Sequence, residues 1–195
     1  AEGITLDERY IEVLKNRGIT QIYIEDEISK GIEVKDAVKE ETRNEAVVLV
    51  KNMMTGHKFI SSPEIEEVKA TVEKIIGELL RNNDIVYSLS DIKSLDDYTF
   101  QHSVNVCILS TITGISLGFG EERLKELAVG AILHDIGKMC ISKEILHKPG
   151  QLTISEFEEI KKHTVYGYEM LRKNDNLGLA SAYIAFGHHE RYDGS

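Results

Sequence analysis

No stretch of this chain approaches the roughly 18 consecutive apolar residues that cross a bilayer, and its N-terminus lacks the basic-then-apolar pattern of a signal peptide. The expectation is a soluble chain with no membrane insertion. Cysteine is scarce: Cys107 and Cys140, both in apolar surroundings, cannot build a disulfide framework and suit a reducing compartment, so a cytoplasmic location is expected. Positive charge is also short. Lys and Arg number 23 against 33 Asp and Glu, giving a net charge of −10 and a pI near 5.2. Such a field repels polymeric DNA or RNA, while a small nucleotide drawn in by bound metal stays compatible with it. Internal repeats and low-complexity tracts are missing as well. The chain opens at "AEGITLDERY" without Met, as a processed chain or an excerpt of a longer protein would.

Hydrophobic residues make up 42% of the sequence, enough for the core of one medium domain or two small ones. Residues 7–17, "DERYIEVLKNR", set Tyr10, Ile11 and Leu14 at helical spacing, with Gly18 as the stop. "QIYIED" alternates Ile22 and Ile24 and predicts a short strand, so the opening reads as part of a small α+β module. From about Val34 to Met54 the sequence turns from charged to apolar, as a helix entering a larger bundle would. Ser62-Pro63-Glu64-Ile65 predicts a helix start, because proline is tolerated in the first turn and acids there suit the helix dipole. Ile65, Val68, Val72, Ile75, Ile76 and Leu79 then carry an apolar stripe to about residue 81. Further helices are predicted near 84–92, 97–117, 121–135, 153–172 and 177–189, the start at 153 marked by a capping box of Thr153 and Glu156. The expected fold is mainly α. A small partial α+β N-terminal module and linker helix occupies 1–60, and an all-helical bundle occupies 61–195.

Seven histidines stand in the chain, and five occupy positions suited to metal chemistry. In "LAVGAILHDIGK", Leu127, Ala131 and His134 share one helix stripe, so His134 points inward with the apolar residues. Asp135 follows directly, and Gly137 allows the backbone to turn. A buried, unpaired carboxylate costs several kcal/mol, which a divalent cation would remove. In "FEEIKKHTVYGYEML", Ile160, His163, Gly167 and Met170 recur at spacings of three and four, and Gly167 leaves room for a close approach. In "YIAFGHHE", Ala185 lies one turn before His188 and His189, with Gly187 keeping the approach open. "YTFQHSVNVCIL" sets His102 one turn before Val106. Imidazole and carboxylate together suit iron, manganese or zinc, and without thiolates a closed structural zinc site is disfavoured. Five His and one Asp exceed the needs of one tetrahedral ion, whereas two ions sharing Asp135 use all six. Lys138, one turn after His134, is placed either to meet a phosphate or to complement the helix dipole. His57 and His147 fall after a glycine break and in a loop before Pro149, and surface roles are expected for both. Lys148, in that same loop, has a surface role as its leading reading over an anion contact.

The succession of His102, "HDIGK", "KPGQLTISEFEEIKKHTVYGYEML" and "HHERYDGS" resembles the HD-GYP family of the HD metal-dependent phosphohydrolase superfamily, over about residues 85–195. "GITLDERYIEVLKNRGITQIYIED" more weakly resembles the N-terminal domain often found ahead of it. The resemblance implies a phosphodiesterase that hydrolyses cyclic di-GMP to pGpG or GMP by attack of a metal-bridging hydroxide. It implies two divalent transition metal ions, iron or manganese. His102, His134 and Asp135 would hold the first, with Asp135 bridging, and His163, His188 and His189 the second. Asp135 and Lys138 would be the catalytic residues, Lys138 contacting the scissile phosphate. The implied partners are a cyclic dinucleotide substrate and a regulatory protein such as a GGDEF or sensor domain. Three features depart from the family pattern. The GYP segment should follow "DGS" but the sequence ends at Ser195, the last aspartate ligand of the first ion lies beyond that point, and Tyr98 stands where three-metal members carry glutamate. Asp97 beside it is turned about 100° away on a helix. The alternatives are a catalytically inactive cyclic dinucleotide-binding or regulatory HD module, and an HD phosphohydrolase acting on another nucleotide.

Overall fold

Apolar residues at spacings of three and four turn the segment after Ser61 into an amphipathic helix whose buried face organises the molecule. The computed structural model describes residues 7–16, 37–56, 60–81 and 98–194. Helix α1 runs over Glu8–Asn16, α2 over Glu40–Thr55 and α3 over Ser62–Arg81. Along α3, Ile65, Val68, Val72 and Ile75 are fully buried and Leu79 is 1% exposed. Each such side chain stabilises the fold by about 1.5–3 kcal/mol. Helix α2 packs on α3 and adds Ala46, Val50 and Met53 to the same core. The strand predicted around Ile22 and Ile24, the stop at Gly18 and the helix predicted near 84–92 lie outside the described residues, and no strand occurs among the described ones.

Helices α4 (Tyr98–Ser116) and α5 (Glu121–Leu133) form the next layer and pack closely on each other. Gly114 makes that approach possible, since a Cβ there would lie 2.8 Å from Leu124 Cδ2. Helix α5 stops at Leu133, two residues short of the predicted end, and Ile136–Cys140 continues as a 3₁₀ turn. Short helix α6 (Lys143–Leu146), which no periodicity announces, is capped by Ser142, whose hydroxyl accepts from the Ile145 amide. The single helix predicted over 153–172 is two: α7 (Ile154–Lys161), begun by the expected Thr153–Glu156 capping box, and α8 (His163–Leu171). Their break has a local cause, because the His163 side chain takes the Ile160 carbonyl at 2.6 Å in competition with the backbone ladder. Helix α9 (Leu179–Gly187) packs on α5 and α8. Cys107 is fully buried and its thiol is pushed up to about 12 by burial. Cys140 is only half-buried, with its sulfur 3.9 Å from that of Met170, and both cysteines are free.

Candidate metal centre

Four helix ends meet at one place. His102 lies in the first turns of α4, His134 and Asp135 follow the last residue of α5, His163 opens α8, and His188 and His189 follow α9. His134, Asp135 and His163 are 4%, 2% and 2% exposed, His102 and His188 are half-buried and His189 is exposed, so the cluster has a buried floor and opens to the surface at His189. The side-chain donor atoms fall into two groups, each within 4.8 Å: His102, His134 and Asp135 in one, and Asp135, His163, His188 and His189 in the other. Asp135 belongs to both. Its Oδ2 lies 3.3 Å from His134 Nε2, and its Oδ1 lies 3.4 Å from His163 Nε2 and 3.6 Å from His188 Nε2.

The ring nitrogens facing away from the centre show what the centre needs. His134 Nδ1 is 2.7 Å from the Ala131 carbonyl, His163 Nδ1 is 2.6 Å from that of Ile160, and His188 Nδ1 is 3.0 Å from that of Ala185. A carbonyl can only accept, so each Nδ1 carries a proton and donates it. In the neutral ring each Nε2 is then a bare lone pair. Three such lone pairs face the Asp135 carboxylate, with His163 Nε2 and His188 Nε2 only 3.2 Å apart, and Asp135 Oδ1 is buried with no hydrogen-bond partner. Left alone, these atoms repel. A proton on one ring relieves one pair, whereas divalent cations accept lone pairs from all of them, and anchoring of Nδ1 by a carbonyl is the usual support of a metal-ligating imidazole. The residues therefore fit a metal centre.

The surrounding charge agrees with this fit. Burial alone would raise the Asp135 pKa; where His134, His163 and His188 carry a proton on Nε2 their contacts outweigh it and hold the carboxyl below the usual carboxylate range, and a cation in place of those protons would act in the same direction. Burial, then His134, lowers the His102 imidazole, and burial, then His188 and His163, lowers His189, which favours their ligating forms. Lys138 was expected at a phosphate or at the helix dipole, and in the structure its Nζ is 2.6 Å from Asp135 Oδ2. It supplies one positive charge to a carboxylate that five imidazoles surround.

One glycine holds the parts in place. A Cβ on Gly137 would overlap the His163 carbonyl oxygen, so the 3₁₀ turn carrying Lys138 can lie on α8 only with glycine there. Gly167 lies against the same turn, but a Cβ there would meet the Gly137 amide nitrogen only at ordinary contact distance, 3.4 Å, so the approach does not depend on it. Gly187 plays no such part, because a Cβ there meets nothing within 4 Å. His147 is exposed and away from the cluster, while His57, Asp97 and the Tyr98 side chain lie outside the described residues. Lys148 is held by Glu156 at 2.6 Å. Sequence reasoning took Ala131, Ile160 and Ala185 as apolar stripe residues and overlooked their carbonyls. A spacing of three before each of His134, His163 and His188 was the available signal.

The profile of the HD domain family matches residues 99–195. A cyclic di-GMP phosphodiesterase of Pseudomonas aeruginosa is 31% identical over 165 residues, which is 82% of this chain and 40% of that protein. One of Thermotoga maritima is 38% identical over 138 residues, or 70% of this chain and 36% of that protein. The 3′3′-cGAMP-specific phosphodiesterase 1 of Vibrio cholerae is 36% identical over 140 residues, or 72% and 31%. The chain spans less than half the length of these relatives. No solved structure matches it.

Proposed function

Because this chain belongs to the HD domain family, we propose that it is the metal-dependent core of a phosphodiesterase that hydrolyses cyclic di-GMP to pGpG or GMP. The observation that carries the reading is the convergence of three carbonyl-anchored imidazoles on the buried Asp135 carboxylate. His102, His134 and Asp135 would hold one divalent ion, and Asp135, His163, His188 and His189 a second, with iron or manganese suited to this donor set. Ions bound there would supply Lewis acidity, acidifying a water for attack on phosphorus and offsetting the charge of the phosphodiester. The chain's own residues do the rest. Asp135, shared by both groups, fixes their spacing, and the Nδ1–carbonyl bonds hold the rings rigid. Lys138 lines the cavity beside the cluster, and its ammonium, now on Asp135 Oδ2, would contact the scissile phosphate. Hydrolysis adds the water oxygen to phosphorus, and the ester oxygen leaves with a proton as an alcohol.

The relative named for 3′3′-cGAMP favours a second cyclic dinucleotide as the alternative substrate. The same reading includes a regulatory module over residues 1–60 ahead of the phosphohydrolase domain, with a GGDEF or sensor domain as protein partner. It also includes a cytoplasmic location; no helix among the described residues is long and apolar enough to cross a membrane. The test is incubation of the manganese-loaded full-length protein with cyclic di-GMP, followed by chromatography. Linear pGpG or GMP is expected. Unchanged substrate bound stoichiometrically would replace the enzyme with a binding module.

A further inference from the structure

Helices α5 and α9 lie side by side and run in the same direction, as contacts in register along them show. Ser181 donates its hydroxyl to the Glu126 carbonyl at 2.8 Å. Ile184 lies on Gly130, where a Cβ would overlap Ile184 Cδ1 and come within 3.0 Å of both Ile184 Cβ and Ser181 Cα. The His134 and His188 rings then meet with their centroids 4.8 Å apart. Glu126, Gly130 and His134 follow one another by four residues, and Ser181, Ile184 and His188 by three and four, so each contact stands about one turn beyond the last. Two parallel helices thus deliver their histidines at the same end.

The crossing joins residues that serve different ligand groups. Helix α5 leads into His134 and Asp135, while α9 leads into His188 and His189. His134 belongs to the group with His102, His188 to the group with His163, and Asp135 to both. How close α9 comes to α5 therefore decides how far Asp135 Oδ1 must reach to His188 Nε2, now 3.6 Å away. Gly130 sits one turn behind that reach. An added methyl could push the Ile184 Cδ1 aside by rotation, but Ile184 Cβ and Ser181 Cα are fixed to α9, so the helix itself must recede by a few tenths of an ångström. The hydroxyl bond from Ser181, 2% exposed, holds the register one turn further back.

We propose that Gly130 is a positioning residue for the ion pair: it lets α5 and α9 close and so sets the spacing of the two ligand groups that share Asp135. The proposal rests on the phosphodiesterase reading for the presence of two ions, and it is tested on the ions themselves. Full-length protein is titrated with manganese and followed by electron paramagnetic resonance, which counts bound ions and reads spin coupling between neighbours. The wild type is expected to take up roughly two coupled ions per chain. Gly130→Ala is expected to weaken one of them by about tenfold or more, the signal of isolated manganese replacing the coupled one. Gly114→Ala is the structural control. It crowds the α4–α5 crossing at Leu124, more than two turns before His134, and should lower the melting temperature as Gly130→Ala does while keeping the coupled signal. Wild-type affinity and coupling in Gly130→Ala, or equal losses in both glycine variants, overturns the proposal. Should Gly130→Ala not fold, Ser181→Ala decides: it adds no bulk and is expected to weaken the same ion by about threefold, and wild-type affinity there overturns the proposal. A wild type that binds no manganese removes the metal-dependent reading and this one together, whereas a coupled pair that Gly130→Ala leaves unmoved removes this one alone. A coupled pair broken by Gly130→Ala, in a wild type that leaves cyclic di-GMP intact, keeps the positioning role and removes the enzyme.

Discussion

Replacing Gly137 by alanine adds a single methyl group at the contact on which the centre depends. Its Cβ would overlap the His163 carbonyl oxygen and sit 2.5 Å from the Gly167 amide nitrogen. Both neighbours are backbone, so no rotamer change relieves the clash, and α8 must move off the 3₁₀ turn as a body. Overpacking costs about 1–3 kcal/mol, and with only backbone to yield the upper end applies. For a protein of this size about 3 kcal/mol lowers the melting temperature by roughly 6–12 °C. The same displacement carries His163 Nε2 away from Asp135 Oδ1, now 3.4 Å apart, and should weaken the ion held by His163, His188 and His189. Scanning calorimetry and metal analysis of one preparation read both effects. Gly187→Ala is the matched control, because its Cβ enters open space and should change stability by no more than about 0.5 kcal/mol. A Gly137→Ala protein melting within about 2 °C of wild type with full metal content would refute the claim that this contact positions α8.

Two further outcomes are expected. Asp135→Ala should empty both ion positions, taking metal content by mass spectrometry from roughly two per chain to near zero in protein prepared under oxygen-free conditions, and cyclic di-GMP turnover should vanish with it; an Asp135→Ala protein retaining full metal would remove this residue from the bridging role. Away from the centre, the Glu156 carboxyl is lowered from 4.5 to about 2 by Lys148 and then by Thr153. A depressed carboxylate stabilises the fold fully above its unfolded pKa and loses that contribution as pH falls through its folded one, so the window is about pH 4.5 down to 2. Acid unfolding followed by circular dichroism should be less steep over that window in Glu156→Gln, and an unchanged slope would contradict the pairing.

Wherever a property follows from one helix's own spacing, it was legible in the sequence. The buried stripe of α3 and the Thr153–Glu156 cap are local patterns and appear where expected. The break between α7 and α8 was not legible, since periodicity registers side-chain polarity and is blind to a ring nitrogen bonding the carbonyl three residues back. Helix α6 was missed because four residues are too few for any period to register. Gly187 was taken for a close-approach glycine beside His188, whereas the glycine on which the contact at the centre depends is Gly137, whose partner lies on another element. For Lys138 the sequence reading weighed a phosphate contact against the helix dipole and did not foresee the ion pair with Asp135, three residues away.

One local device explains why so distant histidines converge. The last turn of a helix leaves carbonyls without backbone donors. His134 and His188 stand just past the ends of α5 and α9, and His163 stands at the break after α7. In each case Nδ1–H satisfies a carbonyl three residues back, and that bond both caps the helix and sets the tautomer. The ring is thereby turned so that a bare Nε2 points along the helix end into the space where the other ends meet. Lone-pair direction is thus decided by secondary structure, and tertiary packing has only to bring helix termini together. Gly137 is one means of doing so, since a Cβ there would overlap the His163 carbonyl oxygen and push α8 off the turn that carries Lys138.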